Sequence, residues 1–449
     1  MESLSRRTFV KGALASVPLL AQAGGTGDGR TDENPGEFVL QRPSPLDPSR
    51  KVSILGFGGV RLPVKSGKLG SQKDPVDYET ASRYVDYALA HGINWFDSGY
   101  HYHNGDSERF FGHALARHPR ESFWFCTKAP PWDITTLADA KRIFQEQLDR
   151  ARMQYFDVYM LHSIARSEDV KRIFVDTGAL DYYREEKAKG RIRHLGFSFH
   201  GRLDALDRIL GYGPWDAVTI LMNGIDWDGA NRSRELLDRL AAKGIPAIGM
   251  ESLAGGRLAR LRPDAHARLA KERTDLSDAA WSLRFAAHPA NLATAMTGFT
   301  RFAHLKEDIS IFNAKTYRPM TASEHAAYAE AIRIEVGNGE GVPCSGCKYC
   351  VPCKYGVDIP QIFHFWNSTI KWSRLPSPTD PPDHEARIRF LDKYYELDPL
   401  RTADRCIGCG RCLKRCPQWQ FKIPEELAKI DAYVESLLLA EVGYRRKRR

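Results

Sequence analysis

The sequence predicts an α/β protein: a (β/α)8 TIM barrel followed by an α-helical module built around cysteines. Two patterns carry this expectation. From Val52 to about Asn313, short β-rich strings alternate with helical stretches at roughly thirty-residue intervals. Farther along, eight of the nine cysteines fall in two tight runs. The 449 residues exceed one average domain, and 43% hydrophobic with 27% charged residues is globular composition, which excludes disorder, collagen and coiled coil.

In chain order, residues 1–23 read as an address. Ser5-Arg6-Arg7-Thr8-Phe9-Val10-Lys11, a mild apolar stretch and Ala21-Gln22-Ala23 make the three parts of a cleavable signal, and the arginine pair resembles a twin-arginine export signal. A periplasmic or exported bacterial protein is therefore expected. The apolar run from Gly12 to Ala23 is too short to cross a bilayer, so the protein is not expected to be integral to a membrane. Residues 24–49, rich in Gly, Pro, Asp and Thr up to Arg42, read as a linker. The net charge of +9 sits mainly at the ends: Arg445 to Arg449 supply +5 and the first eleven residues +2, leaving +2 for everything between. Such a body offers no extended phosphate-tracking surface, and nucleic-acid binding is not expected.

The barrel is expected over residues 50–315. Ser53-Ile54-Leu55, Ile93 to Asp97, Phe123 to Lys128, Phe156 to His162, His194 to Ser198, Ala217 to Leu221, Ile245 to Gly249 and Leu292 to Thr297 are its strands. Each gap has room for one amphipathic helix, such as Ala81 to His91 or Ala138 to Met153. A doubly wound sheet would need a GxGxxG turn opening the first helix, and none is present. Barrel enzymes place their chemistry at the carboxyl ends of the strands. Three successive strings stop there on an ionisable residue, Asp97, Lys128 and His162, with Tyr102 five residues beyond the first. Cys126, in an apolar string, reads as a small buried hydrophobe.

After a connecting helix and linker at 316–340, residues 341–440 form the cysteine module, with a basic tail at 441–449. Cys344, Cys347, Cys350 and Cys353 run at CxxCxxCxxC; Cys406, Cys409, Cys412 and Cys416 run at CxxCxxCxxxC before Pro417. Cysteines three apart close strained disulfide loops, and zinc needs only paired CxxC motifs. The extra cysteine in each run suits a cubane, so two [4Fe–4S] clusters are expected. The second run resembles bacterial ferredoxins, whose last cysteine reaches the other cluster. That resemblance implies Cys344, Cys347 and Cys350 with Cys416, and Cys406, Cys409 and Cys412 with Cys353. The first run departs from the pattern, because Cys353 follows after two residues and Lys354 replaces the proline. Helices are expected over Asp358 to Trp372, Glu385 to Leu397 and Pro424 to Leu439, with Trp366, Trp372 and Trp419 either shielding the clusters or serving as ordinary core aromatics.

Asp97-Ser98-Gly99-Tyr100-His101-Tyr102, Gly105-Asp106-Ser107-Glu108, Cys126-Thr127-Lys128 and Tyr159-Met160-Leu161-His162 together resemble the aldo-keto reductase signature. The likeness covers roughly residues 50 to 315, and the cysteine module is similar to one carried by an iron–sulfur subgroup of that family. It implies an oxidoreductase moving hydride between NADP(H) or NAD(H) and a small-molecule carbonyl or alcohol. Tyr102 would be the general acid/base, Lys128 would lower its pKa, Asp97 would hold Lys128, and His162 would position the carbonyl oxygen. For the nucleotide it implies Ser198, Glu307 and Asp308. Phe199 stands where Asn is usual, Thr219 where Gln is, and Gly298 and His304 where NADP-preferring members carry Lys and Arg.

Two other readings compete. His101, His103, His162 and His200 at strand ends suit a metal-dependent barrel hydrolase, although that reading leaves Tyr102 and Lys128 unexplained. Alternatively, the barrel is a scaffold for an iron–sulfur electron carrier with a redox partner protein. Hydride moves two electrons together and each cluster takes one, so the clusters are expected to be structural or accessory.

Overall fold

The computed structural model describes residues 36–442 apart from 69–70, 72–73, 230, 338–340, 345, 347, 373–374, 381–382 and 417–421. The export signal, the last residues of the basic tail, Cys347 and Trp419 lie outside the described residues, as does the Trp372 side chain.

A short antiparallel hairpin comes first, β1 (Gln41–Pro43) with β2 (Lys51–Ser53), paired Gln41 to Ser53. Eight parallel strands follow: β3 (Leu55–Gly58), β4 (Trp95–Asp97), β5 (Trp124–Ala129), β6 (Phe156–Ile164), β7 (Ile192–Phe199), β8 (Ala217–Leu221), β9 (Ala247–Met250) and β10 (Leu292–Thr297). They close in the order β10-β3-β4-β5-β6-β7-β8-β9. The first barrel strand thus begins where its expected string ended, because Ser53 is claimed by the hairpin and the strand runs through Gly56 and Gly58 instead. Glycine is required at those positions: a Cβ on Gly56 would sit 3.0 Å from Trp95, and one on Gly58 3.0 Å from the Thr297 carbonyl.

Strand side chains alternate, and here the alternation builds the site. Val52, Trp95, Trp124, Cys126, Val158, Met160, Ala217, Ile248 and Ala293 form one buried cluster filling the barrel interior. Phe96, Phe125, Tyr159 and Phe197, one residue out of phase, pack instead in the larger core against the helices. Cys126 is accordingly a buried interior residue. Continuing the inward set toward the carboxyl ends gives Asp97 after Trp95, Lys128 after Cys126, and His162 after Met160.

The first barrel helix spans Tyr78–Ala90, capped by Asp77, and the third spans Leu137–Ala151, opened by a Thr136 capping box. The connecting helix is Ala322–Val336. Beyond it, helices Ile359–Trp372, His384–Tyr395 and Ile423–Val442 surround a second buried core that includes Ile362, Phe363, Tyr394, Leu427, Val434 and Leu437. Trp366 joins this core. The last helix outruns its expected end and is tied back to the second by Glu441, which pairs with both Arg387 and His384. Among the described residues no helix is long and apolar enough to cross a membrane.

Candidate active site at the barrel mouth

Asp97, Tyr102, Lys128 and His162 meet at the carboxyl ends of β4, β5 and β6, each at most 7% exposed. Lys128 Nζ donates to Asp97 Oδ1 at 2.6 Å, to Asp97 Oδ2 at 2.7 Å and to the Ser98 carbonyl at 2.6 Å. An ammonium has three donors, and all three are used. Burial is the largest influence and lowers the Lys128 pKa, but the Asp97 charge and hydrogen bonds, with smaller help from Cys126 and Tyr349, together turn the net shift upward. Lys128 is therefore held as an ammonium paired with Asp97, its Nζ 5.2 Å from the Tyr102 ring centroid.

Tyr102 opens a short 3-10 turn, Tyr102–Gly105, directly after β4. Its ring lies over Gly99, where a Cβ would come within 3.1 Å of it. The turn is held from below: Ser98 Oγ donates to Ser107 Oγ, which donates to the Gly59 carbonyl at 3.0 Å. Glu108, fully buried, accepts from Thr127 Oγ1 and Gln147 Nε2 at 2.6 Å each and pairs with Arg150 at 3.3 Å. This network fixes β5 beside the turn, which explains structurally the Gly-Asp-Ser-Glu string.

The Tyr102 hydroxyl lies 3.5 Å from His162 Nε2. Burial first, then the Asp97 charge, pushes the Tyr102 pKa well above the usual phenol value, and a hydrogen bond with Tyr349 acts the other way. Burial and the nearby Lys128 charge hold the His162 imidazole well below its ordinary pKa, so it is neutral at physiological pH. Of the histidines in the metal reading, His101 pairs with Asp133 and His162 faces two phenols.

Sequence reasoning missed several neighbours. Tyr349, inside the first cysteine run, places its hydroxyl 3.4 Å from His162 Nε2. Trp132, after the Pro130-Pro131 step that follows β5, has its ring 5.4 Å from His162 and 5.8 Å from Tyr349. Arg61 lies along Gly298, where a Cβ would come within 2.8 Å of its own, and its charge acts on Glu251. Only the Pro-Pro-Trp string at a strand end was a local signal; the rest are brought in by tertiary structure.

The expected nucleotide contacts divide. Ser198 and Thr219 are register partners on β7 and β8. Ser198 Oγ accepts from the Ser163 backbone N–H at 2.7 Å, while the buried Thr219 Oγ1 has no hydrogen-bond partner. An unsatisfied hydroxyl beside the tetrad fits a polar ligand group such as a carboxamide. Asp308, on the helix Phe302–Ile311, accepts from Thr297 Oγ1 at 3.0 Å, and Glu307 accepts from Ser277 Oγ at 2.8 Å. That helix has Arg301 at its N-cap with no side-chain cap bond, so its first N–H groups suit a phosphate.

In the cysteine module, Cys350, Cys353, Cys406, Cys409 and Cys412 line one cavity, while Cys344 and Cys416 pack on the same small core. Burial raises the Cys406 thiol pKa, and the nearby Cys353 and Cys409 raise it further. Sulfur ligands gathered around one cavity are the donor set an iron–sulfur cluster takes, so these residues fit the clusters. The backbone winds through the runs with positive φ at Gly346, Lys348, Gly408 and Gly410, and Gly346 N–H donates to Cys344 Sγ at 3.4 Å.

A closed parallel barrel with a lysine–aspartate pair, a phenol and a neutral imidazole at its mouth defines a barrel oxidoreductase. The chain belongs to the aldo/keto reductase family, whose model matches residues 55–330, and a 4Fe-4S dicluster domain matches residues 343–421. L-galactose dehydrogenase of Arabidopsis thaliana is 28% identical over 220 residues, which cover 47% of this chain and 65% of that one. Among solved structures, an aldo-keto reductase from Bacillus halodurans in holo form superposes with a TM-score of 0.53 at 22% identity, covering 65% of this chain and 96% of that one. One from Klebsiella pneumoniae in complex with NADPH superposes at 0.50 with 17% identity, covering 66% and 95%.

Proposed function

We propose that this protein exchanges hydride between a nicotinamide nucleotide and a small carbonyl or alcohol, with Tyr102 as proton donor and acceptor, and that its cysteine module carries two [4Fe–4S] clusters. The observation behind the first part is the saturated Lys128 beside Tyr102. Because Asp97 and Ser98 take all its donors, Lys128 acts through its charge, which favours the phenolate that remains once Tyr102 has given its proton to a carbonyl oxygen. His162, neutral, can donate a hydrogen bond to that oxygen without competing as an acid. In the reverse direction the phenolate takes the alcohol proton. A bound nicotinamide supplies or accepts the hydride; Thr219 and Ser198 would hold its amide, and Arg61 with the N-terminus of Phe302–Ile311 its phosphates. The NADPH of the Klebsiella pneumoniae protein supports this nucleotide class.

Four cysteines for each of two clusters support the second part, with Cys353 beside Cys406 consistent with interleaved ligation. Arg6 and Arg7 support export of the folded chain by the twin-arginine route. The test of the chemistry is Tyr102→Phe, which removes one oxygen and little volume. Reduction of 4-nitrobenzaldehyde with NADPH is expected to fall roughly 10²- to 10⁴-fold while the thermal midpoint holds. Turnover near that of the unmodified chain would remove Tyr102 from the role.

A further inference from the structure

The cysteine module reaches into the barrel's own chemistry through one side chain. Tyr349 stands between the cysteines Cys347 and Cys350, yet its phenol lies 3.4 Å from His162 Nε2 and near enough to Tyr102 to act on its pKa. Tyr102 and His162 are themselves 3.5 Å apart. The carbonyl oxygen of a substrate must accept from both groups at about 2.6–3.2 Å to be protonated and polarised. In this structure the oxygen set against His162 Nε2, beside the Tyr102 hydroxyl on the same nitrogen, is Tyr349's own. The ring is backed by Trp132 at 5.8 Å, which also flanks His162, so ring and indole together cover the tetrad from the solvent side.

We infer that Tyr349 is a gating residue: its phenol holds the place of the substrate oxygen between Tyr102 and His162, and a carbonyl substrate binds by expelling it. The inference rests on the reading of Tyr102 and His162 given above. The displacement asked for is that of one side chain, because the cysteines on either side of Tyr349 are taken up by the clusters. Gly346 and Lys348 sit in the left-handed region, and a Cβ on Gly346 would meet nothing within 4 Å. Its turn is fixed on the other side by the Gly346 N–H bond to Cys344 Sγ. An internal occupant reduces apparent substrate affinity by the fraction of time the site stands open; a site open one-tenth of the time binds about tenfold more weakly than one with no occupant. Entry to the barrel is thereby placed under the control of the cysteine module.

The test uses the complete, iron-loaded chain with 4-nitrobenzaldehyde as probe, comparing Tyr349→Gly with Tyr349→Phe, which keeps the ring and guards against a change in the loop's fold. Iron content and thermal midpoint are matched first. Calorimetry without nucleotide is expected to show the aldehyde binding about tenfold more tightly to Tyr349→Gly, with Tyr349→Phe tighter than the unmodified chain by a smaller factor. In turnover with NADPH, KM should fall by the same factor with no fall in kcat. Unchanged or weaker aldehyde binding in both variants would overturn the gate. So would a fall in kcat with KM unchanged, which would put Tyr349 in the proton path instead. Tyr102→Phe reports separately: normal turnover there, with tighter aldehyde binding in Tyr349→Gly, would leave the gate standing and remove the proton donor.

Discussion

Lys128 and Asp97 are each almost wholly removed from water, and each is the other's partner. Taking away one member of such a pair leaves the other charge buried and uncompensated, at a cost of about 3–5 kcal/mol. Lys128→Met is therefore expected to lower the thermal midpoint markedly as well as to abolish turnover, whereas Tyr102→Phe affects turnover alone; differential scanning calorimetry beside the aldehyde assay separates the two. A second consequence concerns pH. Burial holds the His200 pKa down at about 4. The unfolded side chain titrates near 6.5, so below that value the unfolded chain binds more protons and stability falls with pH until the folded value is reached. Between pH 7 and pH 5 the unmodified protein should lose about 2 kcal/mol that His200→Phe does not lose, seen as a shallower fall in thermal midpoint for the variant. Equal slopes would show that His200 titrates normally in the folded state.

Helices Asp106–Leu115 and Leu137–Ala151 approach so closely that a Cβ on Gly112 would lie 2.5 Å from the Arg150 carbonyl. Gly112→Ala should separate them at a cost of about 1–3 kcal/mol and, because Arg150 and Gln147 on the second helix hold Glu108, should also weaken turnover modestly. Measured melting and kinetics would show the coupling; an unchanged midpoint would mean the helices can part freely. The barrel elements could be read from sequence where strands carry strict alternation: Trp95 and Asp97, or Trp124, Cys126 and Lys128, announce a face and its polar end. They could not be read at β3, whose glycines are demanded by Trp95 and Thr297 across the barrel, nor at β1, which becomes a strand only because β2 pairs with it. Tyr349 was beyond reach for the same reason. Its neighbours in sequence are cysteines, and its neighbours in space come from β6 and from the loops after β4 and β5.

At the scale of the whole molecule, the large buried core between the barrel strands and their helices contrasts with a small one behind the cysteines. The small core alone is modest, so removal of iron is expected to loosen it first. The anaerobically purified protein should contain about eight iron per chain, and four after full reconstitution would contradict the two-cluster reading. Replacing Arg6 and Arg7 together by lysine should leave the protein in the cytoplasm with its signal attached, visible as a larger band in cell fractions; unchanged export would remove the address. The last helix, Ile423–Val442, carries a further implication. Pro424 and Leu427 line the cysteine cavity, and Leu427, Ile430, Val434 and Leu437 complete the core beneath it, all beyond the final cysteine in the chain. Every cluster ligand thus precedes in the chain the helix that walls it in. A chain cut just past Cys416 would therefore keep every cluster ligand yet lack both this wall of the cavity and most of the apolar floor beneath it, and is expected to lose its iron readily.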